Sequence, residues 1–213
     1  MAKKLLITGA SGFLGEPLCR IAQWQVKGVY HRHPINADDP NFQALDLTDT
    51  PAVTDWFQAH RPNGVIHTAA LSKPNHCEKE PELSYRLNVT ASETLAILCQ
   101  DYSIPFVFTS TDQVFDGKAA PYDESSPLHP INVYGRHKWM AEQRIREIYP
   151  AATICRLPLL YGPPGSHSTC FVQDFLAQIE KGQPLPLFED EYRTPGYVDD
   201  VAAGLLLALD HPG

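Results

Sequence analysis

Lys4-Leu5-Leu6-Ile7-Thr8-Gly9-Ala10-Ser11-Gly12-Phe13-Leu14-Gly15 runs from an apolar segment through a glycine cluster into a helical pattern. The run from Lys4 to Thr8 is short and unbroken, as expected of a strand buried on both faces. From Phe13 the apolar residues fall at helical spacing, with Leu14, Leu18, Ile21 and Ala22 on one side. Glycines between strand and helix permit a tight turn. They also let the backbone approach a pyrophosphate at the helix N-terminus, where free amides and the dipole favour anions. The spacing is Gly-x-x-Gly-x-x-Gly (Gly9, Gly12, Gly15), not the commoner Gly-x-Gly-x-x-Gly. A glycine-rich turn without a ligand has the same composition, so the strand–loop–helix context is what points to a dinucleotide.

Working outward, the pattern repeats. Val26 to Tyr30 and Phe42 to Leu45 read as strands, Thr54 to His60 as a helix and Gly64 to Thr68 as a strand. Leu83 to Tyr102 reads as one long helix striped by Leu87, Ala91, Thr94, Leu95 and Leu98. Pro105 to Thr109 is the strongest strand signal, being aromatic and β-branched. A helix over 133–148 and a strand from Thr153 to Leu157 follow. Strands alternating with helices predict an α/β fold: a Rossmann-type, doubly wound parallel sheet covered on both faces. Residues 1–162 form the dinucleotide-binding domain in this reading. Residues 163–213, denser in Pro and Gly, form part of a small C-terminal, substrate-facing lobe that returns to the core.

Within the predicted helix over 133–148, Tyr134 and Lys138 stand four residues apart, on one helical face. A free tyrosine has a pKa of about 10 and a nearby ammonium favours its phenolate, so the pair predicts a general acid and base. Most such pairs are solvated helix surface; here Ser110-Thr111-Asp112 places a hydroxyl beside the phenol. At the end of the second strand, Tyr30-His31-Arg32-His33 carries no acid for ribose hydroxyls. Arg32, with His31, suits a phosphate and predicts NADP(H); an exposed basic turn is the plainer alternative.

The 213 residues suffice for one substantial core, and a formal net charge of -8 disfavours nucleic acid as a partner. Five cysteines lack metal-ligand spacing and suggest a reducing compartment, with Cys99 and Cys155 as buried thiols. Nine scattered histidines include no zincin pair, so no metal is expected. Gly9 to Gly15 interrupts the first apolar run too early for a signal core or a membrane span, and the expectation is a soluble cytoplasmic protein.

Together with Asp46-Leu47-Thr48-Asp49, His67-Thr68-Ala69-Ala70, Leu87-Asn88-Val89 and Arg193-Thr194-Pro195-Gly196-Tyr197-Val198-Asp199-Asp200, these motifs resemble the extended short-chain dehydrogenase/reductase family. The run Ser110-Thr111-Asp112-x-Val114-Phe115-Asp116-Gly117 is similar to its dTDP-4-dehydrorhamnose reductase branch and the related methionine adenosyltransferase β subunit. The resemblance implies that Gly9, Ser11, Gly12, Phe13, Leu14 and Gly15 hold the cofactor with His31, Arg32 and Leu157. It implies that Asp46 and Leu47 flank the adenine and that Ala69, Ala70 and Leu71 line the ribose and phosphate side. Thr111 would bond the substrate oxygen, Tyr134 would protonate it, and Lys138 would hold the nicotinamide ribose. Asp112, Gln113 and Arg193 would face the substrate, Arg193 having a surface ion pair as its alternative. Asn88 is assigned either to a polar relay or to helix packing.

Gln113 replaces a tyrosine common in the rhamnose branch, and Arg156-Leu157-Pro158-Leu159 replaces its Arg-Thr-Ser-Trp. Both changes fall where the sugar would sit. Family members continue for tens of residues past Gly213, which implies that part of the substrate lobe is missing here. The resemblance also implies a homodimer pairing the helices over 83–102 and 133–148. The function expected is NADPH-dependent reduction of a carbonyl, on a nucleotide-linked 4-keto sugar or a related small ketone. The alternatives are a non-catalytic NADP-binding regulatory subunit and an NAD-dependent sugar-nucleotide epimerase or dehydratase.

Overall fold

Six parallel strands, ordered β3-β2-β1-β4-β5-β6, form the central sheet of a computed structural model that describes residues 2–35, 38–187 and 189–211. They are β1 (Lys4–Thr8), β2 (Gln25–Tyr30), β3 (Phe42–Ala44), β4 (Gly64–His67), β5 (Phe106–Thr111) and β6 (Thr153–Leu157). Every residue of β4 and β5 is buried, because parallel strands need crossover helices and these cover both faces. The order reverses between β1 and β4, the crevice where open parallel sheets place ligands.

Alternation along each strand sorts side chains between two cores. One holds Phe57, Leu95, Phe106, Phe108 and Ile145 under α2 (Thr50–His60), α5 (Ala91–Tyr102) and α6 (Val133–Ile148). The other holds Leu18, Ile66, Val107, Leu205 and Leu209 under α1 (Gly15–Ile21) and α8 (Val198–Asp210). The alternating doubly wound plan expected from the sequence is therefore the observed one.

Two differences from the sequence reading have physical causes. The expected single helix from Leu83 to Tyr102 is three pieces: α4 (Pro81–Tyr85), a π-helical turn (Arg86–Thr90) and α5. The wide turn lets Ala91 N–H reach the carbonyl of Arg86, and the Ser92 and Thr94 hydroxyls bond back to the carbonyls of Asn88 and Thr90. A short helix before it, α3 (Pro74–Lys79), was not visible as a periodic pattern. From Leu160 onward, β7 (Leu160–Tyr161) pairs with β8 (Gly196–Tyr197) in a separate two-stranded sheet, and α7 (Phe171–Glu180) lies outside the core. α8 packs on α1, β4, β5 and β6, and residues 188, 212 and 213 lie outside the described residues.

Backbone crowding fixes the β1–α1 loop. Gly9 has φ +66°, and a Cβ there would stand 2.8 Å from the Ala69 amide nitrogen. A Cβ on Gly15 would collide with the Gly9 carbonyl. Gly15→Ala is expected to cost about 1–3 kcal/mol, because the obstacle is backbone and cannot swing aside. A lower urea midpoint at unchanged m-value is the outcome to look for.

Candidate active site

A cleft of about 750 Å³ opens at the C-terminal ends of β1, β4 and β5. Gly9, Ser11, Gly12, Phe13, Leu14 and Gly15 form its floor, with His31, Arg32, Asp46 and Leu47 at one end. Ala69, Ala70, Leu71 and Leu157 line its walls, and Thr111, Asp112, Gln113, Tyr134, Lys138 and Arg193 gather at the other end. Asn88 is the one sequence-predicted site residue that does not line the cleft. Its amide instead brackets the backbone of Leu71, accepting from Leu71 N–H at 2.9 Å and donating to Leu71 C=O at 3.1 Å. Asn88 thus shapes the wall without facing the cavity.

The chemistry-bearing end is built by docking α6 against the turn after β5. Asn132 caps α6, accepting from Gly135 N–H at 2.7 Å, and its amide donates to Gln113 Oε1 at 2.8 Å. Glu78, on α3, accepts from Val133 N–H at 2.8 Å. Gly135 lies so close to the Gln113 carbonyl that a Cβ has no room. These contacts hold Tyr134 beside Thr111, whose hydroxyl donates to Asp112 at 3.2 Å. Arg193 pairs with the same Asp112 at 3.2 Å and with Glu191 at 2.7 Å, so it takes both of its expected places, facing the cleft and in an ion pair.

Tyr134 is not held as a phenolate. Burial pushes its pKa well up, nearby Cys77 and Asp112 add to the rise, and a hydrogen bond with Thr111 opposes it. The expectation that Lys138 lowers this pKa is corrected: the net shift is upward, with desolvation its largest cause and the Thr111 hydrogen bond the one opposing influence. Lys138 itself is 1% exposed, and burial brings its pKa down to about 7 against the upward pull of Glu142. Its Nζ lies 3.9 Å from the centroid of the Phe108 ring. The pair is therefore a neutral phenol beside an easily neutralised ammonium.

Sequence reasoning missed a buried polar chain under the glycine loop. Thr8 Oγ1 accepts weakly from Thr68 N–H (3.2 Å) and Ala69 N–H (3.3 Å), so its own proton goes to His67 Nδ1 at 2.6 Å. His67 Nε2–H then donates to Ser92 Oγ at 3.0 Å, and Ser92 donates to the Asn88 carbonyl at 2.9 Å. Each member is satisfied only if His67 is neutral, and burial, reinforced by Lys138, lowers its pKa to about 3. His33, read from the sequence with His31 as a candidate helper to Arg32, also lines the cleft, which gains the segment from His167 to Phe171 that no motif marked. Glu16 anchors the start of that segment through the residue before it, accepting from Ser166 N–H and Oγ–H, both at 2.8 Å. Among the described residues, no group of three or more His, Cys, Asp or Glu is placed to hold a metal ion, and no helix is long and apolar enough to cross a membrane.

The RmlD substrate binding domain family matches residues 3–212. The chain belongs to that family. Among its relatives, the "probable low-salt glycan biosynthesis reductase Agl14" of Haloferax volcanii is 37% identical over 210 residues, covering 96% of this chain and 70% of that protein. Methionine adenosyltransferase 2 subunit beta of Xenopus laevis is 33% identical, covering 94% of this chain and 60% of the relative. The chain thus spans 60% to 70% of the length of these two relatives. A dTDP-4-dehydrorhamnose reductase of Bacillus anthracis, solved in complex with NADP, superposes with a TM-score of 0.86 at 28% identity, covering the whole chain and 72% of that structure. Both relatives named in the resemblance, the rhamnose reductases and the methionine adenosyltransferase subunit, are thus found.

His67 gives a pH signature with a definite sign. An unfolded histidine titrates near 6.5 and the folded one near 3, so protons bind the unfolded state preferentially between those values. The contribution is intact above about pH 6.5 and is lost as pH falls toward 3. Between pH 7 and pH 5 the loss should be about 2 kcal/mol. Denaturant unfolding at both pH values should show a smaller drop in His67→Gln than in the parent protein.

Proposed function

We propose that this protein is an NADPH-dependent reductase of a carbonyl on a nucleotide-linked 4-keto sugar. The observation that carries the reading is the convergence of Thr111, neutral Tyr134 and buried Lys138 at one end of a cleft floored by a glycine loop. The loop suits a dinucleotide: side chains at Gly9, Gly12 and Gly15 would each meet backbone within 3.0 Å, and Leu14 begins α1 without a side-chain cap. Arg32 and His31, at the cleft end beyond β2, suit the extra phosphate of NADP(H). The NADP complex of the Bacillus anthracis reductase supports the same choice.

NADPH, when bound, supplies the hydride. The protein's part is to hold the carbonyl and deliver a proton. Thr111 donates a hydrogen bond to the carbonyl oxygen, and Tyr134, kept protonated by burial, gives that oxygen its proton as negative charge develops. Lys138 then matters most, because a phenolate in so dry a place needs a cation beside it. Asp112, Gln113 and Arg193 face the substrate in this reading. Residues 1–162 serve as the cofactor unit and 163–213 as the substrate-facing side, in an extended short-chain reductase of the cytoplasm that pairs as a homodimer through α5 and α6.

A second reading, an NADP-binding regulatory subunit, is favoured by the likeness to the methionine adenosyltransferase subunit and by the Leu157-Pro158-Leu159 run. Titration with NADPH and NADH, then oxidation assays over a panel of nucleotide 4-keto sugars, separates the two. The reductase reading expects tighter binding of NADPH and ketone-dependent oxidation; tight binding without turnover supports the regulatory one. In Tyr134→Phe, turnover should fall by about 10²–10⁴-fold while NADPH affinity stays within about twofold.

A further inference from the structure

Lys138 does not stand alone on its helix. Tyr134, Lys138 and Glu142 recur at four-residue intervals in α6, so one buried face carries a phenol, an ammonium and a carboxylate in successive turns. Glu142 is 2% exposed, an unusual place for a carboxylate unless it is paired. Its partner is Arg156 of β6, which reaches it through a fork: Nε to Oε1 at 3.1 Å and Nη2 to Oε2 at 2.8 Å. The guanidinium thus engages both carboxylate oxygens in charge-assisted hydrogen bonds. Arg156 also lies 5.3 Å from the ring centroid of Phe115, and it sits in register with Ser110, the residue before Thr111.

We propose that Glu142, held by Arg156, is a positioning residue for the Tyr134–Lys138 pair: its fixed negative charge, one turn along the helix, keeps the buried Lys138 protonated. The inference rests on the reductase reading for its purpose but not for its test. Burial alone works against the ammonium, and Glu142 is the group that pulls the other way. The ionisable groups on the elements around Lys138 include Tyr134 on its own helix, His67 on β4, Cys77 and Glu78 on α3, Asp112 after β5 and Arg156 on β6; Glu82 on α4 and Arg86 in the π-helical turn are exposed, and Glu93 on α5 is not among the charges acting on Lys138. None supplies the same help. Tyr134 and His67 are neutral, Cys77 has a raised pKa, Arg156 repels, Asp112 is taken by Arg193, and Glu78 is engaged at the start of α6. Without Glu142, the cation that must balance a Tyr134 phenolate would be missing over part of the neutral pH range.

The test titrates Lys138 directly, in protein without cofactor or substrate. Isotope-labelled lysine resonances are followed by NMR from about pH 5 to about pH 10, and the Lys138 signal is assigned by its loss in Lys138→Met. Glu142→Gln keeps the shape and a hydrogen bond to Arg156 but removes the charge. It should lower the Lys138 midpoint by about one pH unit, a tenfold change in the protonated ratio at fixed pH. Should that variant not fold, the double variant Glu142→Leu with Arg156→Met replaces the pair by apolar groups, a change that buried ion pairs often tolerate. It too should lower the midpoint, though by less, because the repulsion of Arg156 goes with the pair. An unchanged midpoint in either folded variant overturns the proposal, since a clamp that only holds α6 in place would not move it. Failure of the parent protein to oxidise NADPH with any ketone would sink the reductase reading and leave this titration standing.

Discussion

The ammonium of Lys138 lies almost wholly out of water, and much of what surrounds it follows from that burial. Removing such a charge from water carries a penalty of several kcal/mol after relaxation, and attraction from neighbours must offset it. The Phe108 ring offers one negative face and Glu142 a full charge. The same dryness keeps Tyr134 protonated and His67 neutral. One wall of the cleft therefore has its protonation states set by exclusion of water, with direct charge pairing acting as a correction. Phe108, itself fully buried in the larger core, links that electrostatic state to the packing of the sheet.

Much of the fold was legible because strong local signals agreed with the tertiary solution. The buried runs of β1, β4 and β5, the glycine loop and the stripe of α6 each demand the same layered sheet. The site residues were legible where motif and topology coincide, since strand ends bring Gly9, Ala69 and Thr111 to one crevice whatever the loops do. What escaped was set by long-range contacts. The π-helical turn has an ordinary helical sequence, and only the demand that Asn88 grip Leu71 marks it out. His67 looked like one more scattered histidine, because Thr8 and Ser92, its partners, are 59 and 25 residues away. The direction of the Tyr134 shift was misread because the spacing of two residues says nothing about how much water reaches them.

The cleft also shows how rigid and adjustable parts divide the work. Its floor is backbone against backbone, with Gly9 pressed on Ala69 and Gly15 on Gly9, so little there can move. The chemistry-bearing end is fixed through α6 and its cap. The rim is different: the segment from His167 to Phe171 and the Arg193 side chain are held by exposed polar contacts to Glu16, Pro34, Asp112 and Glu191. Contacts of that kind exchange readily with water and contribute little each. Variation in what the family's cleft accepts is easiest to place there, where side chains can change without disturbing the sheet.

α8 has a consequence for how the chain reaches this structure. Its apolar side completes one face of the sheet, and Asp199 at its start bonds Arg20 of α1 across 179 residues of sequence. During synthesis, the faces of β1 and β4 that α8 will cover remain bare until the residues of α8, up to Asp210, have emerged. Strands already aligned by then have no partner for Leu5, Ile7 and Ile66 beyond what α1 supplies. A topology with such distant closure folds slowly for its size and exposes a greasy surface on the way. α8 thus acts as the keystone of this face of the sheet, and the nascent protein has reason to meet a chaperone before that helix arrives.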